Sequence, residues 1–300
     1  MAVDWVRYRS DDEDSGRWAR LPLRPGDIVI STRSKSGTTW MQLICALLVL
    51  RTPELPEPLG RLSPWLDRTT RPIDEVVARL EAQTHRRIIK THTPLDGVPL
   101  DPRAHYLVVA RHPLDLAVSL YHQGDNIDRR RLAELTGTEY RPGSPRPPGG
   151  EWLRRWIAWD GPVADNLDSL PGVAHHLGDA WRRRDDGNVT LVRYEDLLAD
   201  LPGRMVELGA RLDLPIEPDE AAELAAAASF GAMQARAAEL VPDSSGVLKD
   251  SSRFFRRGRS GAGAELLGQD DLDAYHARIS QLAPPDLVAW IHAPGRPTGR

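Results

Sequence analysis

Lysine is nearly missing from this chain of 300 residues: of 39 basic residues only Lys35, Lys90 and Lys249 are lysine, and the other 36 are arginine. Cysteine is scarcer still. Cys45 stands alone, which excludes a disulfide framework and suits a reducing compartment. It lies in the apolar run MQLICALLVL, where a buried helix residue is expected. That run is too short to span a bilayer. The N-terminus, MAVDWVRYRSDDEDSGRW, lacks the apolar stretch of a signal peptide. An excess of positive charge is absent too: the net charge is -4, so no basic field argues for a nucleic-acid partner. His175 and His176 are adjacent, but no Cys, His or Asp cluster at ligand spacing accompanies them, and no metal is expected. These exclusions leave a soluble, cytoplasmic protein, with chain enough for one large α/β domain.

What is present is a set of short β-branched runs separated by helical stretches. GDIVIST (26–32) predicts a buried strand and the apolar stretch 38–50 a helix. RRIIK (86–90) predicts a second strand, ending at the loop THTPLDGVPLDP. HYLVVAR (105–111) predicts a third, after which Pro113 opens a helix to about Gln123. NVTLVRYEDL (188–197) predicts a fourth, feeding a helix near 197–211. Strands alternating with helices predict a single α/β domain over 1–300, with a mostly parallel central sheet flanked by helices. Each polar motif falls just past the C-terminal end of a strand, where open α/β sheets bind ligands.

Residues 1–25 read as an N-terminal extension of that domain. Residues 124–150, ending in RPGSPRPPGG, read as a mobile lid or a disordered insertion, being too long for an ordinary connection. EWLRRWIAWD sets Trp152, Trp156 and Trp159 on one helical face. That face is either part of the core or an apolar wall of a substrate pocket.

STRSKSGTTW (31–40) joins the first strand to the first helix, the unit that aims backbone N–H groups and a helix N-terminus at an anion. A Walker A loop carries its lysine after the second glycine, whereas here Lys35 precedes Gly37. A lysine offers a compact ammonium suited to meeting one oxygen in a tight site. Two of the three lysines, Lys35 and Lys90, fall in segments of this kind. Taken on its own, Arg111 at the end of the third strand reads either as an anion ligand or as the ion-pair partner of Asp115.

SKSGTTW, KTHTPL, ARHPLDLAVSLYH, VRYEDL, ASFGAM and FFRRGRSG follow one another as in the cytosolic-type sulfotransferases, which use 3'-phosphoadenosine-5'-phosphosulfate (PAPS). The resemblance covers about residues 26 to 261 and looks most like the actinobacterial glycolipid type. It implies a P-loop-like site in which Lys35, Ser36, Gly37, Thr38 and Thr39 hold the 5'-phosphate, with Lys35 stabilising the leaving phosphate. It implies that Arg111 and Ser119, with Arg256, Arg257 and Gly258, hold the 3'-phosphate. Trp40 and Phe230 would sandwich the adenine, with Tyr194 at its edge. His92, titrating near neutrality, would be the general base, and Lys90 would add positive charge beside the sulfuryl oxygens. No metal is implied, and the acceptor would be a hydroxyl of an apolar molecule: a glycolipid, a sterol-like compound or a phenol.

Two departures stand out. His112 and Leu114 occupy positions where the family often has asparagine and lysine. Ala262, Gly263 and Ala264 replace a common Asp-Trp-Lys, which implies a looser or differently anchored lid. The rival readings are a P-loop kinase or NTPase, and a nucleotide-binding protein without catalysis. The inverted lysine and the lack of an evident Mg-binding pair speak against the first, and the retained Lys35 and His92 against the second.

Overall fold

A computed structural model describes residues 5–140, 142, 145–241 and 245–298. Four strands form one parallel sheet: β1 (Ile28–Ser31), β2 (Ile88–Thr91), β3 (His105–Ala110) and β4 (Val189–Arg193), side by side in the order β2-β1-β3-β4. Along them side chains alternate between two apolar layers, as a two-residue repeat dictates. Ile28, Ile30, Leu107 and Val109 pack with helix α1 (Thr38–Leu50), while Val29, Tyr106 and Val108 join the opposite layer. Because both faces are covered, the strands read as unbroken apolar runs. The helix α1 is buried from Thr38 through Leu48, Cys45 included.

The strand order fixes where a ligand can enter. From β1 the chain steps to one side for β2, then passes over to the other side for β3. The loops leaving β1 and β3 therefore diverge and open a crevice at their C-terminal ends. At the opposite end of the sheet Asp27 and Arg87 form an ion pair, each only 2% exposed.

Several elements differ from expectation in their bounds. YEDL belongs to a helix, Tyr194–Ala199, and a second helix, Leu201–Arg211, follows. Asp200 separates them by accepting from the Gly203 N–H at 3.0 Å, with Pro202 in the opening turn of the second helix. Residues 124–150, expected as a mobile lid or a disordered insertion, are helical in part. The Pro113 helix runs on to Asn126, and Asp128 caps a further helix, Arg129–Thr136, which ends at Gly137. Only Ala133 of that helix is buried, so its order rests on capping and on the pairing of Ile127 with Leu248. The rest of the expected lid includes residues 141, 143 and 144, which lie outside the described residues.

The N-terminal segment packs onto the sheet. Trp18 is buried in the core, and the backbone of Asp12 and Asp14 bonds to that of Thr69 and Asp67 at 2.8 Å. Residues 1–4 lie outside the described residues. No helix among the described residues is long and apolar enough to cross a membrane.

Candidate active site

The crevice holds a cavity of about 410 Å³. Lys35, Gly37, Thr38, Thr39, Trp40, Lys90, His92, Arg111, Ser119, Tyr194, Phe230, Arg256, Arg257 and Gly258 all line it, although they come from six separate parts of the chain. Ser36 is the exception. It is buried beneath the loop, its N–H donates to the Arg33 carbonyl at 3.2 Å, and it does not face the cavity.

The loop after β1 is built for close approach. Gly37 has φ 100°, open only to glycine at low cost, and a Cβ there would stand 2.8 Å from the Tyr194 ring. Lys35 also lies in the left-handed region, at φ 68°. A non-glycine residue held there is the kind of local strain found at ligand clamps. Its Nζ donates to Gln123 Oε1 at 3.2 Å and stands 4.0 Å from the centre of the Phe254 ring. Burial, and then the Arg111 and Arg256 guanidinium groups, bring the Lys35 ammonium down to about 7.

Arg111 is not the ion-pair partner of Asp115. Its Nη1 donates to the Lys35 carbonyl at 3.1 Å, its guanidinium lies over Tyr194 at 4.5 Å, and its buried Nε has no hydrogen-bond partner among the described residues. Asp115 instead accepts from the Gly261 N–H at 2.8 Å and the Gly263 N–H at 2.9 Å. That is how the loop carrying Arg256 and Arg257 is anchored without the family's usual residues. Ala262 is buried, and a Cβ on Gly263 would overlap Leu114. Gly263 and Leu114 thus fit one another. Arg257 pairs with Glu265 at 2.8 Å.

Trp40 and Tyr194 meet edge-on at 5.2 Å, and the Trp40 indole is fixed by donating to the Ala228 carbonyl at 2.8 Å. Phe230 lines the same part of the cavity.

His92 sits just past β2 and is 5% exposed. Its Nδ1 lies 2.6 Å from the Thr32 carbonyl, which only accepts, so Nδ1 carries the proton and Nε2 keeps its lone pair. Burial, then Lys90 and Arg33, hold its pKa well below the ordinary 6.5. The expectation of titration near neutrality is corrected: His92 is a neutral base throughout the physiological range. Lys90, 4% exposed, places its Nζ 3.7 Å from the centre of the Trp65 ring. Burial, and then Arg68, lower its ammonium to about 7.

Several residues escaped the sequence reading. Trp65 meets His92 edge-on at 4.5 Å. Buried Arg33 donates to the His92 carbonyl and pairs with Asp168 at 2.7 Å. Asp67 accepts from Thr91 and Thr93 on either side of His92 and so fixes the strand end. Asp12, Glu13, Arg68 and Asp168 line the cavity near these groups. Their only sequence signal is the tryptophan in SPWLD; the rest are ordinary charged residues far apart in the chain.

Of the two readings of the tryptophan face, core or pocket wall, the core is the one that holds. Trp156 belongs to the core, with its indole donating to the Asp168 carbonyl at 2.8 Å, and Trp152 packs on Tyr121. Neither they nor Trp159 line the cavity, whose apolar surface comes from Leu120, Ile127, Leu132, Val247, Leu248, Phe254 and Phe255. His175 bonds Asp96 and Tyr8, and His176 bonds Ser31, so both serve packing between elements.

The profile of the family described as "Sulfotransferase domain" matches residues 25–282. Over 312 aligned positions the chain is 43% identical to a "Glycolipid sulfotransferase" of Mycobacterium bovis, covering 97% of this chain and 95% of that protein. Human "Sulfotransferase 2B1" is 27% identical over 251 residues, covering 80% of this chain and 61% of the human protein. Among solved structures, a mouse sulfotransferase complexed with PAP has a TM-score of 0.68 at 19% identity, with 92% of each chain covered. A retinol dehydratase in a complex with retinol and PAP has a TM-score of 0.66 at 19% identity, covering 91% of this chain and 87% of that one.

Proposed function

The chain belongs to the sulfotransferase family, and on that premise we propose that it moves the sulfuryl group of PAPS to a hydroxyl of a glycolipid. The observation that carries the donor half is the gathering of Lys35, Arg111 and Arg256 around one cavity, where Arg111 and Arg256 help depress the Lys35 ammonium. Cations that weaken one another's basicity in a buried site are relieved by an anion. These cations, gathered from three separate loops, suit a polyanionic ligand such as a nucleotide with two phosphates.

In this reading the N–H groups and hydroxyls of Thr38 and Thr39, at the start of α1, hold the 5'-phosphate. Arg111, Ser119 and the Arg256–Gly258 loop hold the 3'-phosphate. Trp40 and Phe230 flank the base, with Tyr194 at its edge. Transfer breaks the S–O bond to the donor phosphate and forms one to the acceptor oxygen. His92 Nε2 takes the acceptor's proton as that bond forms, Lys35 meets the charge growing on the leaving phosphate, and Lys90 meets the sulfuryl oxygens. The glycolipid half is supported by the name of the 43% identical relative and by the apolar part of the cavity lining. The single buried cysteine supports a cytoplasmic site of action.

The test is calorimetry of adenosine 3',5'-bisphosphate (PAP) against AMP, followed by transfer of label from radioactive PAPS to a glycolipid fraction. Each charge-assisted contact to the 3'-phosphate contributes about 1.5–3 kcal/mol, so PAP is expected to bind at least about tenfold more tightly. Equal affinities would overturn the donor assignment.

A further inference from the structure

Near Lys90 and His92 the cavity changes character. Three carboxyl groups, from Asp12, Glu13 and Asp168, line it there beside Arg68 and Trp65. Two of the three have partners: Asp168 is 2.7 Å from Arg33, and Asp12 is 3.8 Å from Arg68. Glu13 is different. Its backbone docks the N-terminal segment, through a bridge to Arg68 and bonds to Ser10, while its carboxyl makes no hydrogen bond among the described residues. Packing therefore does not explain the carboxyl. Beside it, the Nζ of Lys90 and the Nε2 of His92 also lack hydrogen-bond partners among the described residues, on side chains only 4% and 5% exposed. Buried polar groups left open toward a cavity mark where a ligand supplies the missing bonds.

We propose that Glu13, flanked by Asp12 and Asp168, binds hydroxyls of the acceptor adjacent to the one that is sulfated, and so selects a polyol headgroup. The inference rests on the sulfotransferase reading and names the part of the acceptor that this wall recognises. Asp168 and Asp12 are balanced by Arg33 and Arg68, and Glu13 by the nearby Lys90, so the wall carries little net charge, which suits a neutral polar group better than a cation. Burial raises the Glu13 carboxyl to about 8 against the pull of Arg33, so near neutral pH it is mainly protonated. A carboxylic acid both donates and accepts, as a sugar hydroxyl does. The same cavity is lined by Ile127, Leu132, Leu248 and Phe254, which offer an apolar surface for the tail. Head and tail of an amphipathic acceptor are thus accommodated in one cavity that also contains His92.

The test compares an alkyl glucoside with naphthol as acceptors, using full-length wild type, Glu13→Ala and Glu13→Gln, with PAP binding as the check on folding. The wild type is expected to prefer the glucoside in kcat/KM. In Glu13→Ala the glucoside-to-naphthol ratio should fall by about 10- to 100-fold, chiefly through KM for the glucoside. Glu13→Gln keeps a donor and an acceptor and should recover most of the ratio. An unchanged ratio in Glu13→Ala would overturn the inference, as would a wild type that favours naphthol. A wild type that turns over neither acceptor with PAPS would instead fail the sulfotransfer reading, and the inference with it.

Discussion

Lys35 and His92 face one cavity but answer to different chemistry, and a paired measurement separates them. In the proposed mechanism Lys35 stabilises charge on the leaving phosphate, so Lys35→Ala is expected to slow transfer by about 100- to 1000-fold. In the same proposed mechanism His92 acts on the acceptor alone. His92→Ala should slow transfer by about 100- to 10,000-fold and leave the PAP affinity nearly unchanged. Calorimetry and initial rates on the same preparations check both, and a normal rate in either variant would remove that residue from the mechanism. The pH dependence carries a sign. In the free protein the Lys35 ammonium is charged below about 7 and neutral above it, and PAP, an anion, favours the charged form. PAP affinity should therefore fall as pH rises through about 7, and Lys35→Ala should flatten that fall. If His92 is the base, its pKa, held well below 6.5, should place the rising limb of the rate profile on the acid side of neutrality.

At the scale of elements the decisive contact lies between the start of the Pro113–Asn126 helix and the loop after Phe255. Asp115 stands in the first helical turn, 2% exposed, and its two oxygens take the N–H groups of Gly261 and Gly263. Arg111 follows the strand before that helix, so the helix start positions cations from both sides of the proposed 3'-phosphate site. In Asp115→Asn one oxygen becomes an NH₂ group facing a backbone N–H. A charge-assisted bond of this kind contributes about 1.5–3 kcal/mol, so PAP binding should weaken by roughly tenfold or more. AMP, which lacks the 3'-phosphate, should lose much less. Equal losses for the two ligands, measured by calorimetry, would show that Asp115 supports the fold generally and not this loop.

For the molecule as a whole, folding and chemistry occupy opposite ends of the sheet. The Asp27–Arg87 pair sits at the N-terminal ends of β1 and β2, and the cavity opens at their C-terminal ends. Asp27→Ala strands a buried guanidinium and is expected to cost about 3–5 kcal/mol of stability in urea unfolding. The fraction that stays folded should bind PAP as the wild type does. Loss of affinity in that fraction would mean that the two ends are coupled.

The sequence by itself determined the parallel sheet, because strands buried on both faces are written as apolar runs and their alternation with helices leaves little choice of architecture. The proposed donor side is written just as locally. A loop of the kind proposed to bind phosphate is a local object, made of a strand end, a glycine at positive φ and a helix N-terminus, so SKSGTTW carries it within seven residues. The proposed acceptor side was decided only by tertiary structure. Glu13, Trp65, Lys90 and Asp168 meet because the N-terminal segment docks on residues 67–69 and Arg33 reaches across to Asp168. Contacts between residues so distant in the chain leave no local period. The tryptophans of EWLRRWIAWD make the same point in reverse. Their spacing fixed a helical face, but only packing decided that Trp156 would enter the core and that Ile127, Leu132 and Phe254 would line the cavity.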